Sequence, residues 1–213
     1  MKNRFARLLD TRGLATEDDT TAALADGLSN SSSLLLAFLE FLFSGSKLPS
    51  LTIEALEVRS QYRFSAEVGK RADVASRGRI DLAIIDRKNS IFVGVEFKVR
   101  DGENPARLHN YRLLMQAEGF KRDFLFGLVQ KRQHDFSQVE TVDSVHTWNE
   151  FNEYLLYRAG LLQHSLDRPW IEEFCAFLLT SSTLVAKGHT ASPQSQGSTG
   201  RSKSELAALL AAC

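Results

Sequence analysis

Two segments near the middle of the chain consist mainly of β-branched, aromatic and aliphatic residues. They span residues 78–85 and 92–99, and their composition is typical of strands covered on both faces. The residues between them, Asp86-Arg87-Lys88-Asn89-Ser90, favour a turn. The pattern therefore predicts a hairpin with strands at 79–86 and 90–99.

Hydrophobic periodicity predicts further elements on both sides of this hairpin. The expected elements are a helix over 18–44 broken near 27–31, a strand over 53–64, a helix from Pro105 to about Gly119, a strand over 124–129, and helices from Thr147 and from Pro169 to about Leu184. The polar stretch before Thr147 is expected to be irregular. This order of helices and strands predicts an α/β fold.

Three charged residues interrupt the apolar hairpin. Asp81 lies in its first strand, and Glu96 and Lys98 lie in its second strand, where alternation places both on the same side. Removing such charges from water costs several kcal/mol each in proteins, so they must neutralise one another, bind a charged ligand or take part in catalysis. Two carboxylates could bind Mg²⁺ through oxygen atoms, and Lys98 could orient or deprotonate an attacking water.

This arrangement resembles the PD-(D/E)XK nuclease superfamily, whose signature is an acid on one hairpin strand and Glu-x-Lys on the next. The matching residues are Asp81, Glu96 and Lys98, although Ile80 stands where the signature has proline. The resemblance implies a restriction-endonuclease-like αβββαβ core, with a mixed central sheet flanked by helices, plus C-terminal helices. It also implies a further catalytic role for Glu17, at the start of the first helix.

A second part of the resemblance lies in the helix after the hairpin. Arg107 and Tyr111 resemble a Gln-Leu-x-x-Tyr pattern, with Arg107 at the position of the Gln. We expect Arg107 to contact a phosphate, whereas Tyr111 is expected to be a packing residue.

The resemblance implies a Mg²⁺-dependent endonuclease that hydrolyses phosphodiester bonds of DNA, with Asp81 and Glu96 as metal ligands and Mn²⁺ as a substitute metal. Defence against phages or mobile elements is the setting that the family analogy suggests. Three alternatives remain open: an RNase on the same fold, a catalytically inactive subunit that binds nucleic acid or protein, and a structural Glu96–Lys98 ion pair.

Charge and composition add constraints on partners. The chain has 26 basic and 26 acidic residues, so nucleic acid would have to bind a local basic surface. The candidate contacts are Arg79, Arg107, Arg77, Lys70 and Arg71. The apolar run over 34–43 is too short to span a bilayer, so we expect a cytoplasmic protein without a membrane partner.

The C-terminal part of the chain changes composition. We expect a nuclease-like domain over 1–186, a flexible linker over 187–204 rich in Ser, Gly, Gln and Thr, and a short amphipathic helix over 205–213. Docking on a second subunit or a protein partner is one interpretation of this helix, and a terminal helix lying on its own domain is the other.

Overall fold

A five-stranded sheet in the order β1-β2-β3-β4-β5 forms the centre of the protein. The computed structural model describes residues 17–74, 78–98, 105–129, 141–161 and 168–180. The strands are β1 (Glu57–Arg63), β2 (Arg79–Asp86), β3 (Ile91–Lys98), β4 (Arg122–Val129) and β5 (Ser144–Thr147). The helices are α1 (Glu17–Asn30), α2 (Ser32–Leu42), α3 (Ala66–Arg71), α4 (Pro105–Glu118), α5 (Trp148–Leu161) and α6 (Arg168–Thr180).

The sheet is mixed. β1 pairs with β2, and β2 with β3, in antiparallel orientation, whereas β3–β4 and β4–β5 are parallel pairs. The two parallel strands β3 and β4 are joined through α4, as a parallel connection requires. The predicted α/β class, with a mixed sheet flanked by helices, is confirmed.

Helices pack on both faces of the sheet and divide the core into two clusters. The α2-side core contains buried residues of α1, α2, α5 and α6, together with sheet residues such as Leu82, Val95 and Leu128. The α4-side core contains residues of α3 and α4, together with sheet residues such as Ala83, Phe92 and Leu125. Covering both faces explains why β2 and β3 are almost continuously apolar.

Local capping signals set several helix boundaries. Ser31 separates α1 from α2, and its hydroxyl accepts a hydrogen bond from the backbone N–H of Leu34. At the start of α5, Thr147 and Glu150 each accept a hydrogen bond from the other's backbone N–H. The helix break near 27–31 and the start of a helix at Thr147 were both predicted from the sequence.

Four details differ from the sequence expectations. Residues Ile53–Ala55 form a 3₁₀ turn, so β1 begins only at Glu57. The short elements α3 and β5 were not predicted, because six and four residues are too few to establish a period. Asp86, which belongs to the polar segment expected to form the turn, is buried and accepts hydrogen bonds from the backbone N–H groups of Thr52 and Asn89.

The expected linker and terminal helix, over 187–204 and 205–213, lie outside the described residues. Within the described ranges, no single helix is both long and apolar enough to cross a membrane. Only together do α1 and α2 reach that length and composition, and the pair is bent by 119°.

Candidate functional site

The regular alternation of side chains breaks where Asp81 lies. On β2, Ile80 belongs to the α4-side core, yet Leu82, two residues later, belongs to the α2-side core. On β1, Gln61 lies between the paired residues Ser60↔Leu82 and Tyr62↔Ile80 and has a left-handed φ of 53°. The bend at this position turns the Asp81 carboxylate towards β3, where its Oδ2 accepts a hydrogen bond of 2.8 Å from the backbone N–H of Phe97.

Asp81 and Glu96 lie at the same end of the β2–β3 hairpin. Each is one residue beyond the last antiparallel pair, Leu82↔Val95. The hairpin therefore brings the two predicted carboxylates onto adjacent strands, as the sequence predicted. Both are buried, with Asp81 1% and Glu96 0% exposed, so their charges require compensation by nearby cations or hydrogen-bond donors.

Arg107, the third residue of α4, supplies one such cation. Its Nη2 lies 2.9 Å from Oε1 of Glu96. Burial lowers the pKa of Arg107, but the negative charge of Glu96, the interaction with Tyr111 and the charge of Asp81 together outweigh this effect, so the pKa is raised above its ordinary value. The contact depends on β3 and α4 packing together, because Glu96 lies eleven positions before Arg107 in the sequence.

Tyr111 holds Arg107 in this position. The two residues are one helical turn apart, and Nε of Arg107 donates a hydrogen bond to the Tyr111 hydroxyl. That hydroxyl in turn donates to the backbone carbonyl of Arg79, at 2.6 Å. Burial, followed by the charge of Glu96, raises the pKa of Tyr111, so the phenol keeps its proton and remains a donor. Tyr111 is buried, as expected of a packing residue, but it also connects α4 to β2.

The first turn of α1 lies against the same bend. Glu17 is the first residue of α1, and its side chain lies outside the described part of the structure. Its neighbour Asp18 accepts a hydrogen bond of 3.0 Å from Nε2 of Gln61 and lies 3.8 Å from Nη2 of Arg79. Asp18 and Gln61 are thus site neighbours that sequence reasoning missed. The acidic run Glu17-Asp18-Asp19 was a signal for the first, whereas no local pattern pointed to Gln61.

The remaining predicted residues lie at the end of β3, in α3 and at the start of β2, and one of them is outside the described residues. The backbone of Lys98 pairs with Val129 at the end of β3, two residues after Glu96, and its side chain is not described. Arg77 lies outside the described residues. Lys70 and Arg71 are exposed in the last turn of α3, and Arg79 is 41% exposed at the start of β2.

Arg112, on the other hand, has a structural role. Although it follows Arg107 in a basic stretch, it forms ion pairs with Asp123 and Asp143. It also donates hydrogen bonds to the backbone carbonyls of Thr141 and Asp123. Arg112 therefore joins α4 to β4 and to the segment leading into β5, and it is not available as a phosphate contact in this arrangement.

The two buried carboxylates are chemically suited to a hard divalent cation, which prefers oxygen ligands. Among the residues whose side chains are described, no group of three His, Cys, Asp or Glu side chains forms a more complete ligand set. A cation held here would keep several waters, because Asp81 and Glu96 supply only two carboxylates. The described part of the site thus combines two buried carboxylates with cationic side chains at its edge.

Comparison with known proteins adds no relative: no family model, curated protein or solved structure matches the chain.

Proposed function

We propose that this protein is a metal-dependent nuclease with a restriction-endonuclease-like core, and that it hydrolyses phosphodiester bonds of DNA. The single observation that best supports the proposal is the placement of Asp81 and Glu96, both buried, on adjacent strands at a break in the sheet. Burying a carboxylate is costly unless cations or hydrogen-bond donors compensate its charge, and neighbouring buried ionisable groups are more frequent at functional sites. Apart from the additional helices α2 and α3, the order α1, β1, β2, β3, α4 and β4 agrees with the αβββαβ order that the resemblance implies, which supports the proposal.

In this proposal Asp81 and Glu96 hold Mg²⁺ or Mn²⁺. The bound ion would neutralise charge on the scissile phosphate and lower the pKa of a coordinated water. The hydrogen bond from Phe97 N–H orients the Asp81 carboxylate before any ligand arrives, which reduces the reorganisation needed at the site. Lys98 would orient or help deprotonate the attacking water and stabilise negative charge in the transition state.

The remaining candidate residues would act on the substrate and the site geometry. Arg79 and Arg107, at the rim, would contact the phosphates that flank the cleaved bond. Lys70, Arg71 and Arg77 would extend this basic surface along the nucleic acid. Glu17 is the candidate for an additional acidic contact from α1. Because phosphate contacts carry no sequence information, these residues would support binding without strong sequence preference.

The direct test is cleavage of plasmid DNA, single-stranded DNA and RNA in Mg²⁺, Mn²⁺ or EDTA. We expect wild-type protein to cut DNA only with a divalent metal, and Asp81→Asn and Glu96→Gln to reduce cleavage by at least about a hundredfold. Asp86→Asn is the matched control, because Asp86 is also 1% exposed and lies at the other end of β2. It should remain active at temperatures where it is folded.

A second candidate function is that of a catalytically inactive nucleic-acid-binding or protein-binding subunit. The observation that favours it is the ion pair between Glu96 and Arg107, which could compensate the Glu96 charge permanently. Nucleic-acid binding without cleavage in any metal would support this alternative. Cleavage of RNA alone would instead support the RNase alternative.

A further inference from the structure

Arg107 and Glu96 form an unequal pair. Glu96 is completely buried, whereas 39% of the Arg107 side chain is exposed. The carboxylate therefore cannot leave its position without disturbing the core, but the guanidinium can move towards solvent by rotating about its own side-chain bonds. Any change in this ion pair must be made by Arg107.

Arg107 uses different nitrogen atoms for its two partners. Nη2 faces Oε1 of Glu96, and Nε donates to the Tyr111 hydroxyl. Tyr111 is itself fixed by its hydrogen bond to the Arg79 carbonyl. Because the guanidinium is rigid, releasing the Nη2 contact requires the whole head group to tilt, and the fixed Tyr111 hydroxyl is an acceptor that would keep it next to the site after it leaves Glu96.

We propose that Arg107 is an exchangeable counter-ion, which pairs with Glu96 in the metal-free protein and passes to a substrate phosphate when a divalent cation binds. This inference rests on the proposed function, because it assigns a regulatory role within the same site. A guanidinium and a divalent cation are both positively charged, so they repel each other when both approach the Glu96 carboxylate. A released guanidinium forms strong bidentate contacts with phosphate, and its planar group is well suited to both partners.

This exchange has a thermodynamic consequence. Without nucleic acid, the cation must displace Arg107 from Glu96, which weakens metal binding. With nucleic acid present, a phosphate stabilises the released Arg107, and metal binding becomes more favourable. Because binding free energies are reciprocal, the metal must strengthen nucleic-acid binding by the same factor. The site would therefore load metal and substrate together.

The test uses isothermal titration calorimetry with Ca²⁺ and full-length protein, first without nucleic acid. We expect Arg107→Met to bind Ca²⁺ about tenfold more tightly than wild type, since separating an ion pair of intermediate burial costs free energy on this scale. Arg79→Met is the matched control. It also removes a positive charge at the site, from a side chain that is 41% exposed and pairs with Asp18. We expect the Ca²⁺ affinity of Arg79→Met to rise by less than about threefold, because this variant loses only general electrostatic repulsion of the cation.

The second measurement repeats the titrations with a short DNA duplex. We expect the duplex to raise the Ca²⁺ affinity of the wild type by a larger factor than that of Arg107→Met. Phosphate coordination to the cation is common to both proteins, so the difference between the two factors reports the exchange of Arg107. Should Arg107→Met not fold, as judged by circular dichroism, Arg107→Gln gives a neutral variant in which the same order of affinities is expected.

Two results would overturn the proposal, and they are distinguishable. If Arg107→Met bound Ca²⁺ no more tightly than wild type, while Glu96→Gln lost binding, the exchange would be wrong and the metal site would stand. If wild type and the Arg107 variants bound no Ca²⁺ with or without the duplex, both the exchange and the proposed function would be wrong.

Discussion

The strength of the Glu96–Arg107 ion pair in the metal-free protein can be predicted and measured with a double-mutant cycle. The cycle compares wild type, Glu96→Gln, Arg107→Met and the double variant. Removing Arg107 alone leaves the buried Glu96 carboxylate with less compensation, so we expect this single change to destabilise the fold. Removing both charges should recover part of that loss, because Gln needs no counter-ion.

The expected coupling free energy follows from the geometry. Two unit charges about 4 Å apart attract by about 4 kcal/mol at an effective dielectric constant of about 20. This figure is an upper limit for a pair in which Arg107 is 39% exposed, because water screens the guanidinium. Exposed pairs contribute about 0.2–1 kcal/mol, and breaking a buried pair costs about 3–5 kcal/mol. We therefore expect a coupling of about 2 kcal/mol for this half-buried pair.

The assay is urea denaturation at neutral pH in EDTA, which keeps divalent cations away from Glu96. The cycle subtracts the contacts that Glu96 and Arg107 make with other residues, so only their mutual interaction remains. A parallel cycle on Arg168 and Glu172 of α6 provides a reference, because Arg168 has the same exposure of 39% but an exposed partner. A Glu96–Arg107 coupling below about 0.5 kcal/mol, or no larger than that of the reference pair, would refute the reasoning.

Three further predictions concern stability away from the site. Asp86→Ala should destabilise the protein by about 2–3 kcal/mol, because it removes the acceptor for the backbone N–H groups of Thr52 and Asn89. Burial raises the pKa of Asp86, but its hydrogen bonds outweigh burial and lower the pKa below 3.8. The contribution of Asp86 to the free energy of unfolding should therefore be present above pH 3.8 and be lost as the pH is lowered further in denaturation experiments. Burial and the hydrogen bond to Glu118 raise the pKa of Tyr62 from 10.0 to about 12. Wild type should therefore lose more stability than Tyr62→Phe as the pH rises between these two values, and equal losses would contradict this. Gly119→Ala should cost about 1 kcal/mol in thermal denaturation, because Gly119 has a φ of 98° after α4 and an added Cβ would touch nothing; an unchanged melting temperature would argue against strain there.

The sequence by itself determined most helices and strands of the described region. The apolar runs of β2 and β3, the turn between them and the Thr147–Glu150 capping box are strong local signals, and each produced the predicted element. Because the turn also sets the register of the hairpin, the proximity of Asp81 and Glu96 could be predicted. The candidate carboxylates of the site were therefore accessible from sequence alone.

The compensation of those carboxylates was decided by tertiary structure. Arg107 was expected to contact phosphate, and its pairing with Glu96 depends on how α4 packs against β3. Likewise, the bend at Asp81 depends on the left-handed Gln61 in the neighbouring strand. The burial of Asp86 and the ion pairs of Arg112 also arise from segments distant in the chain.

The physical reason is the range of the interactions. Hydrophobic periodicity, capping and turn preferences act over a few residues, so a single sequence reveals them. The partner of a buried charge is selected by packing among several elements, since desolvation and Coulomb attraction depend on what surrounds the charge in space. For this protein, the sequence determined which strands carry Asp81 and Glu96. The pairing of Arg107 with Glu96 was decided by the packing of α4 against the sheet.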